Sequence, residues 1–284
     1  MKLQHILSAR QFLHAKLLED LFLLAEKMEK EGKNYSTSLQ GKILTSIFYE
    51  PSTRTRLSFE AAMYRLGGNV LSIENALATS SAKKGEVLED TIRTLALYTD
   101  VIVLRHEQEG AAELASQVST VPIINAGDGN GEHPTQALLD LYTIQKELGR
   151  IDGLSIAIIG DVEKARQVHS LTQLLSIFPS VHVYLISSQN KEEKSFKDIA
   201  PNMDVIYMVR TRKEYGGSST KKEYILDKKV LDTMKENSIV MSALPRNQEI
   251  HPEVDKDRRA AYFRQVKNGL FIRMALLYGM FYDI

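Results

Sequence analysis

The chain has 284 residues, enough for two domains of ordinary size, and its 43 % hydrophobic share can fill two cores. Lys+Arg and Asp+Glu each total 36, so no overall field draws the chain to nucleic acid or to an anionic membrane, and any anion site must be built locally. With no cysteine there is no disulfide, thiol nucleophile or thiolate-bound zinc, which fits a reducing compartment and makes the cytoplasm the expected location.

The opening stretch, MKLQHILSARQFLHAKLLEDLFLLAEKMEK, interrupts its apolar residues with charges at helical spacing, which predicts an amphipathic helix rather than a signal segment. No stretch reaches the roughly 18 apolar residues of a membrane span. Short β-rich runs then alternate with helical patterns. KILTSIFY, NVLSIE, DVIVLRH and VPIINAG occupy the first half, and LSIAIIGD, VHVYLISS, DVIYMVR and SIVMSALP the second. Segments 58–66, 87–98 and 135–148 carry the i, i+3, i+4 apolar spacing of crossover helices. The pattern predicts an α/β chain with two doubly wound parallel-sheet domains, about four strands in each sheet.

PTQALLDLYTIQKELGRIDGL reads as a connector helix ending near Gly149, and AAYFRQVKNGLFIRMALLYGMFYDI as a helix too apolar to lie in water, expected to pack back on the first domain. The expected domains are 1–133 with 265–284, and 134–264. GGSSTKKEY, at 216–224, is the most loop-like region.

Residues 50–56, EPSTRTR, follow the first strand run directly. In an open α/β sheet ligands sit beyond the carboxyl ends of strands. Ser52 reads as an N-cap, and the helix it begins offers backbone N–H groups and a positive dipole end to an anion. Thr53 and Thr55 add hydroxyl donors, and Arg54 a planar fork suited to phosphate oxygens. Taken alone, the same residues also describe an ordinary cap with surface arginines. Two further strand ends are polar: LRHEQEGA places Arg105 and His106 after the third strand, and GDGNGEHPTQ places His133 and Gln136 around Pro134, a good first helical residue. Each has an ordinary explanation, a surface charge for Arg105 and a helix cap for His133 with Gln136.

Taken together, FYEPSTRTRLSFEAAMYRLGG, ATSSAKKGE, LRHEQEGA, NAGDGNGEHPTQALLDLYTI, GDVEKARQVHSLT, LPRNQEI and NGLFIRMALL resemble, in order from about residue 40 onward, the catalytic chain of the aspartate carbamoyltransferases. S-T-R-T is shared with the ornithine branch, whereas KKGE and RHEQEGA favour the aspartate branch. The resemblance implies attack of the L-aspartate amino group on the carbonyl carbon of carbamoyl phosphate, giving N-carbamoyl-L-aspartate and phosphate in pyrimidine synthesis, without cofactor or metal. It implies that Ser52, Thr53, Arg54 and Thr55 hold the phosphate with Arg105. Thr55, Arg105 and His133 would donate to the developing oxyanion, and Gln136 would bind the carbamoyl nitrogen. Ser80 and Lys84 would reach a neighbouring subunit's site, so the minimum assembly implied is a cyclic homotrimer, open to a regulatory chain or another pyrimidine enzyme. Arg166 and Arg210 match the arginines that grip the acceptor carboxylates, and Leu244 and Pro245 a backbone turn touching both substrates. Without the family, residues 79–84 read as a solvated loop and the two arginines as surface ion pairs. A dinucleotide reading of LSIAIIGD fails because VEKAR lacks the further glycines.

The chain departs from the family at three places. It reads RTRKEY for R-x-Q-K-E-R, putting Arg212 where the family has a glutamine and Tyr215 where it has an arginine, and Ser242 and Ala243 replace His-Pro before LPR. Only QNKEEKSFKDIAPNM separates the sixth and seventh strand runs, which predicts the loss of one helix–strand unit. Because these changes gather on the acceptor side, two alternatives stand beside aspartate transfer: a carbamoyltransferase for another amine, and a non-catalytic carbamoyl-phosphate-binding or scaffold protein.

Overall fold

Strands that alternate with crossover helices return the chain to the same end of a sheet each time, so the sheets they build are parallel. The structure, a computed structural model, describes residues 2–163, 165–187, 196–210 and 224–284. Arg212, Tyr215 and residues 216–223 of the expected loop lie outside the described residues. The chain divides into two compact units, Met1–Leu139 with Asn268–Ile284, and Asp140–Lys267.

The first unit contains α1 (Ala15–Lys30), β1 (Ile43–Phe48), α2 (Thr53–Arg65), β2 (Asn69–Glu74), α3 (Ala76–Thr79), α4 (Leu88–Ala96), β3 (Val101–His106), α5 (Ala111–Val118), β4 (Ile123–Asp128) and the start of α6 (Pro134–Leu148). Its sheet has the order β2-β1-β3-β4, with every pair parallel. The inner strand β1 is buried over Leu44–Phe48, as an apolar run covered on both faces should be, whereas edge strand β2 is largely exposed.

The second unit continues α6 and adds β5 (Ser155–Gly160), α7 (Arg166–Leu175), β6 (His182–Ser187), α8 (Phe196–Ile199), β7 (Val205–Val209), α9 (Lys228–Thr233), β8 (Ile239–Met241) and the first turns of α10 (Tyr262–Phe281). The order is β6-β5-β7-β8, again all parallel. Two doubly wound sheets of four strands are therefore present, and the short second half still closes a core, which includes Ile159, Phe196, Ile206, Val240 and Tyr262. From Asn268 onward α10 belongs to the first unit, where Ile272, Leu276 and Leu277 are fully buried and the Gly279 carbonyl accepts from Leu3 N at 2.8 Å.

The N-terminal stretch differs from the single helix expected of it. Only Ala15–Lys30 is α-helical; a 3₁₀ turn over Ala9–Phe12 precedes it, capped reciprocally by Ser8 and Gln11. Ahead of that turn Ile6 pairs in parallel with Ile124, its N–H donating to Ile123 O at 2.9 Å and its carbonyl accepting from Asn125 N at 2.7 Å. The outer edge of β4 offers this segment a backbone partner, and Ile6 is fully buried there, so edge pairing overrides the local helical spacing.

Gly160 ends β5 at φ +130°, where an added Cβ would lie 2.0 Å from the Val209 carbonyl oxygen on β7. Gly160→Ala is expected to cost about 3 kcal/mol or more, through both the backbone conformation and the strand separation. Urea unfolding of the two proteins checks this, and a loss below about 1 kcal/mol would contradict so close an approach.

Candidate active site

Parallel pairing brings the first unit's polar strand ends into one row. Phe48 of β1 is in register with both Glu74 of β2 and Arg105 of β3, and His106 is in register with Asp128 of β4. EPSTRTR therefore leaves the sheet beside Arg105, whose carbonyl accepts from Tyr49 N at 2.9 Å.

Within EPSTRTR the two arginines differ. Arg56 is structural: its guanidinium reaches Glu60 at 3.2 Å, Ser72 Oγ at 3.1 Å and Glu74 at 2.8 Å, tying α2 to β2. Arg54 lies exposed in the first turn of α2, a turn that contains no acidic residue. Ser52 takes the N-cap position, but its hydroxyl makes no capping hydrogen bond, contrary to the simple cap expected from its residue type. Helix geometry leaves the first N–H groups without partners inside the helix. Thr55, by contrast, is buried, while Thr53 is exposed. This end of the sheet thus presents backbone and hydroxyl donors with a cation beside them.

Arg105 is held in the same row. Its Nε lies 3.2 Å from Glu50 Oε2, and its Nη1 donates to Ala126 O at 3.2 Å. The loop after β4 is shaped by Asp128, which accepts from Gly110 N at 3.0 Å and from Asn125 Nδ2 and Glu132 N at 3.1 Å. Glu132 in turn accepts from Ser8 Oγ at 2.6 Å and Ala9 N at 2.7 Å. That bracing delivers His133 to the start of α6, where its carbonyl accepts from Gln136 N at 3.0 Å and Ala137 N at 3.2 Å. The His133 and Gln136 side chains are both buried. Ser80 and Lys84 occupy a short segment beyond β2. The Ser80 hydroxyl donates to Ala76 O at 2.6 Å and accepts from Ala82 N at 3.2 Å, while Lys84 ends an exposed 3₁₀ turn.

In the second unit Gly160 is in register with Val209, so Arg210, directly after β7, and Arg166, the first residue of α7, belong to one edge. Arg166 is buried and Arg210 half-buried. Beyond β8 the chain turns at Leu244, a non-glycine residue at φ +54°, followed by a cis peptide to Pro245. Arg246 then pairs with Asp255 and donates to Tyr262 Oη at 3.1 Å. Burial, and then the hydrogen bond to Asp255, holds the Tyr262 hydroxyl well above its usual range. Residues not singled out in the sequence complete this region: Asp140, Tyr207 and Gln265 are buried together behind the turn. The signal available for Asp140 was a carboxylate inside the apolar pattern of PTQALLDLYTI.

Among the described residues no three His, Cys, Asp or Glu side chains gather to hold a metal ion, and no helix is long and apolar enough to cross a membrane. Donors and cations collect instead at the carboxyl edges of both sheets, which defines an α/β protein built to handle anionic small molecules at strand ends.

The comparisons agree with that class. The carbamoyl-P binding domain model of aspartate/ornithine carbamoyltransferase matches residues 4–146, and the Asp/Orn binding domain model matches residues 191–280. A chloroplastic aspartate carbamoyltransferase of Arabidopsis thaliana is 47 % identical over 302 residues, covering 97 % of this chain and 77 % of the relative. The solved structure of aspartate transcarbamoylase from Trypanosoma cruzi in complex with carbamoyl phosphate and aspartate superposes with a TM-score of 0.89 at 39 % identity, covering 98 % of this chain and 97 % of that one. The catalytic subunit of the M. jannaschii aspartate transcarbamoylase gives a TM-score of 0.89 at 42 % identity, with 98 % of both chains covered. The chain belongs to the aspartate/ornithine carbamoyltransferase family.

His106 yields a prediction from its burial at this edge. Its ring packs tilted against Tyr49, the ring centroids 4.5 Å apart, and its Nδ1 accepts from Gln108 N at 3.0 Å, a bond that needs the unprotonated nitrogen. Burial lowers its pKa, so below about pH 6.5 the unfolded chain binds a proton that the folded chain does not. Stability is therefore expected to fall as pH drops from 7.5 to 5.5, and to fall less in His106→Asn, which keeps an acceptor. Parallel slopes in urea unfolding at the two pH values would contradict this.

Proposed function

We propose that this chain transfers the carbamoyl group from carbamoyl phosphate to the amino group of L-aspartate, a step of pyrimidine biosynthesis. The observation that carries the reading is the row of donors and cations at the carboxyl edge of the first sheet, within the region that matches the family's carbamoyl-phosphate domain. In the reaction a bond forms between the amine nitrogen and the carbonyl carbon, the bond from that carbon to the phosphate oxygen breaks, and the departing phosphate takes the amine proton. Negative charge develops on the carbonyl oxygen and on the leaving phosphate, so donors preorganised there lower the barrier.

On this reading Ser52, Thr53, Arg54 and Thr55 receive the phosphate, with Arg105 as a further cation. Thr55, Arg105 and His133 donate to the oxyanion, and Gln136 holds the carbamoyl nitrogen. Arg166 and Arg210 pair with the acceptor's carboxylates, Arg212 is a further acceptor-side residue, and the Leu244–Pro245 turn touches both the carbamoyl group and the acceptor. The first unit is then the carbamoyl-phosphate domain and the second the acceptor domain. Further support comes from the Trypanosoma cruzi relative, whose structures carry carbamoyl phosphate with aspartate, and N-(phosphonacetyl)-L-aspartic acid.

We also propose a homotrimer in which Ser80 and Lys84 serve a neighbouring subunit's site. It is supported by exposed apolar side chains along the stretch from α2 to the end of α4: Leu57, Tyr64, Leu71, Leu77, Val87, Leu97 and Tyr98, with Leu97 80 % exposed. The proposed compartment is the cytoplasm, supported by the lack of cysteine; the plant relatives are named chloroplastic.

Initial rates with saturating carbamoyl phosphate test the reaction. L-Aspartate is expected to be carbamoylated faster than other amino acids, and Arg54→Ala to lose at least about a hundredfold in kcat/KM. Preference for another amine would favour the second carbamoyltransferase reading, and no carbamoylated amine at all the binding-protein reading. His133→Ala is expected to lower kcat more than it raises KM; the reverse would make it a binding residue only. If sites are shared, mixing inactive Lys84→Ala and Arg54→Ala chains under subunit exchange should restore activity, and a mixture that stays inactive would count against the shared site.

A further inference from the structure

The turn after β8 is suspended from a buried polar chain. Leu244 N donates to Ser242 Oγ at 3.2 Å, and Ser242 N donates to Gln265 Oε1 at 3.0 Å. On its other side Gln265 Nε2 donates to Asp140 Oδ1 at 2.6 Å, and Asp140 Oδ2 accepts from Tyr207 Oη at 2.9 Å. Ser242, Gln265, Asp140 and Tyr207 are each 2 % exposed or less, and they come from the end of β8, α10, α6 and β7.

Two physical features set this chain of contacts apart from incidental packing. A fully buried carboxylate is tolerated only where donors meet it, and here two donors do. Those donors also fix the neighbouring amide: with Nε2 committed to Asp140, Gln265 can present only Oε1 to Ser242 N. The chain then ends at Leu244, which sits in the left-handed region. A branched side chain stays in that conformation only when its surroundings dictate it, and such positions cluster at functional sites. The surroundings are the Ser242 hydroxyl on one side and the hydrophobic cluster against which Leu244 packs on the other. Ser242 and Ala243 stand where the resembling family has His-Pro, and here the Ser242 hydroxyl accepts from the Leu244 N–H two residues on, a local bond typical of serine in turns.

We infer that Gln265, with Asp140 and Ser242, is a positioning residue of the transfer reaction, fixing the Leu244–Pro245 backbone where the acceptor binds. The inference rests on the acceptor role proposed for that turn. None of the three need touch substrate; they act through the turn they hold.

The test uses the full chain. Gln265→Leu is expected to lower kcat/KM for L-aspartate about tenfold or more, chiefly through KM, while carbamoyl phosphate affinity by calorimetry, carried mainly by the first unit's phosphate contacts, falls severalfold less. Gln265→Glu places a carboxylate against Asp140 and is expected to lose at least as much. Adding Asp140→Asn to Gln265→Glu rebuilds the chain of contacts with donor and acceptor exchanged, so the double variant should recover most of the loss; a merely space-filling role would show no such recovery. Ser242→Ala removes one hydroxyl and leaves the fold little changed, and is expected to cost about threefold or more. Amide exchange at Ser242 and Leu244 should quicken at least about tenfold in Gln265→Leu while β1 and β3 amides are unaffected. Unchanged aspartate kinetics in Ser242→Ala and folded Gln265→Leu would overturn the inference, as would carbamoyl phosphate affinity falling in step with that for aspartate. Failure of the parent chain to carbamoylate aspartate would overturn the acceptor reading instead, and the exchange rates would still decide whether Gln265 fixes the turn.

Discussion

The carboxyl edge of a parallel sheet is the constraint from which the rest follows. All strands of each sheet run the same way, so each chain exit, and each helix start that follows it, falls on one edge. A helix start brings N–H groups that the helix cannot satisfy, and a net charge of zero means that attraction for an anion has to be assembled at that edge from a few side chains. Arg54, Arg105 and His133 on the first unit, and Arg166 and Arg210 on the second, sit where this logic places cations and donors.

What distinguishes these edges from ordinary helix starts is how much of the neighbouring chemistry is committed to holding them in place. Arg56 gives its guanidinium to Glu60, Ser72 and Glu74, so that α2 is fixed and Arg54, two residues away, stays exposed. Asp128 accepts from three neighbours to shape the loop ahead of His133. Arg246 pairs with Asp255 beyond Pro245, and Gln265 holds the near side of the same turn. Donors that act by stabilising developing charge need this kind of support, because a donor displaced by an ångström stabilises little of it.

The strands, their order along the chain and the crossover helices were legible in the sequence because apolar runs and helical spacing alternate cleanly. The N-terminal stretch was not, since Ile6 is captured by a strand edge about 120 residues away, and local spacing carries no trace of such a partner. Ser52 was legible as an N-cap position but not as a hydroxyl that leaves its helix uncapped. The first-unit donors were legible as motifs, but residue type alone left an ordinary helix cap and a surface charge open, and their roles came from the family resemblance. The buried Asp140–Gln265 bond was not, because its partners are 125 positions apart and each looks unremarkable within its own helix. Polar groups that meet only in the folded chain leave no period or spacing to read.

The most direct measurement is a calorimetric titration of carbamoyl phosphate into the parent chain and into Arg54→Ala at two salt concentrations. A locally built anion site predicts saturable binding in the parent that weakens with salt, and affinity at least about tenfold lower in the variant. Equal affinity in the two proteins would contradict the assignment of EPSTRTR as the phosphate cradle.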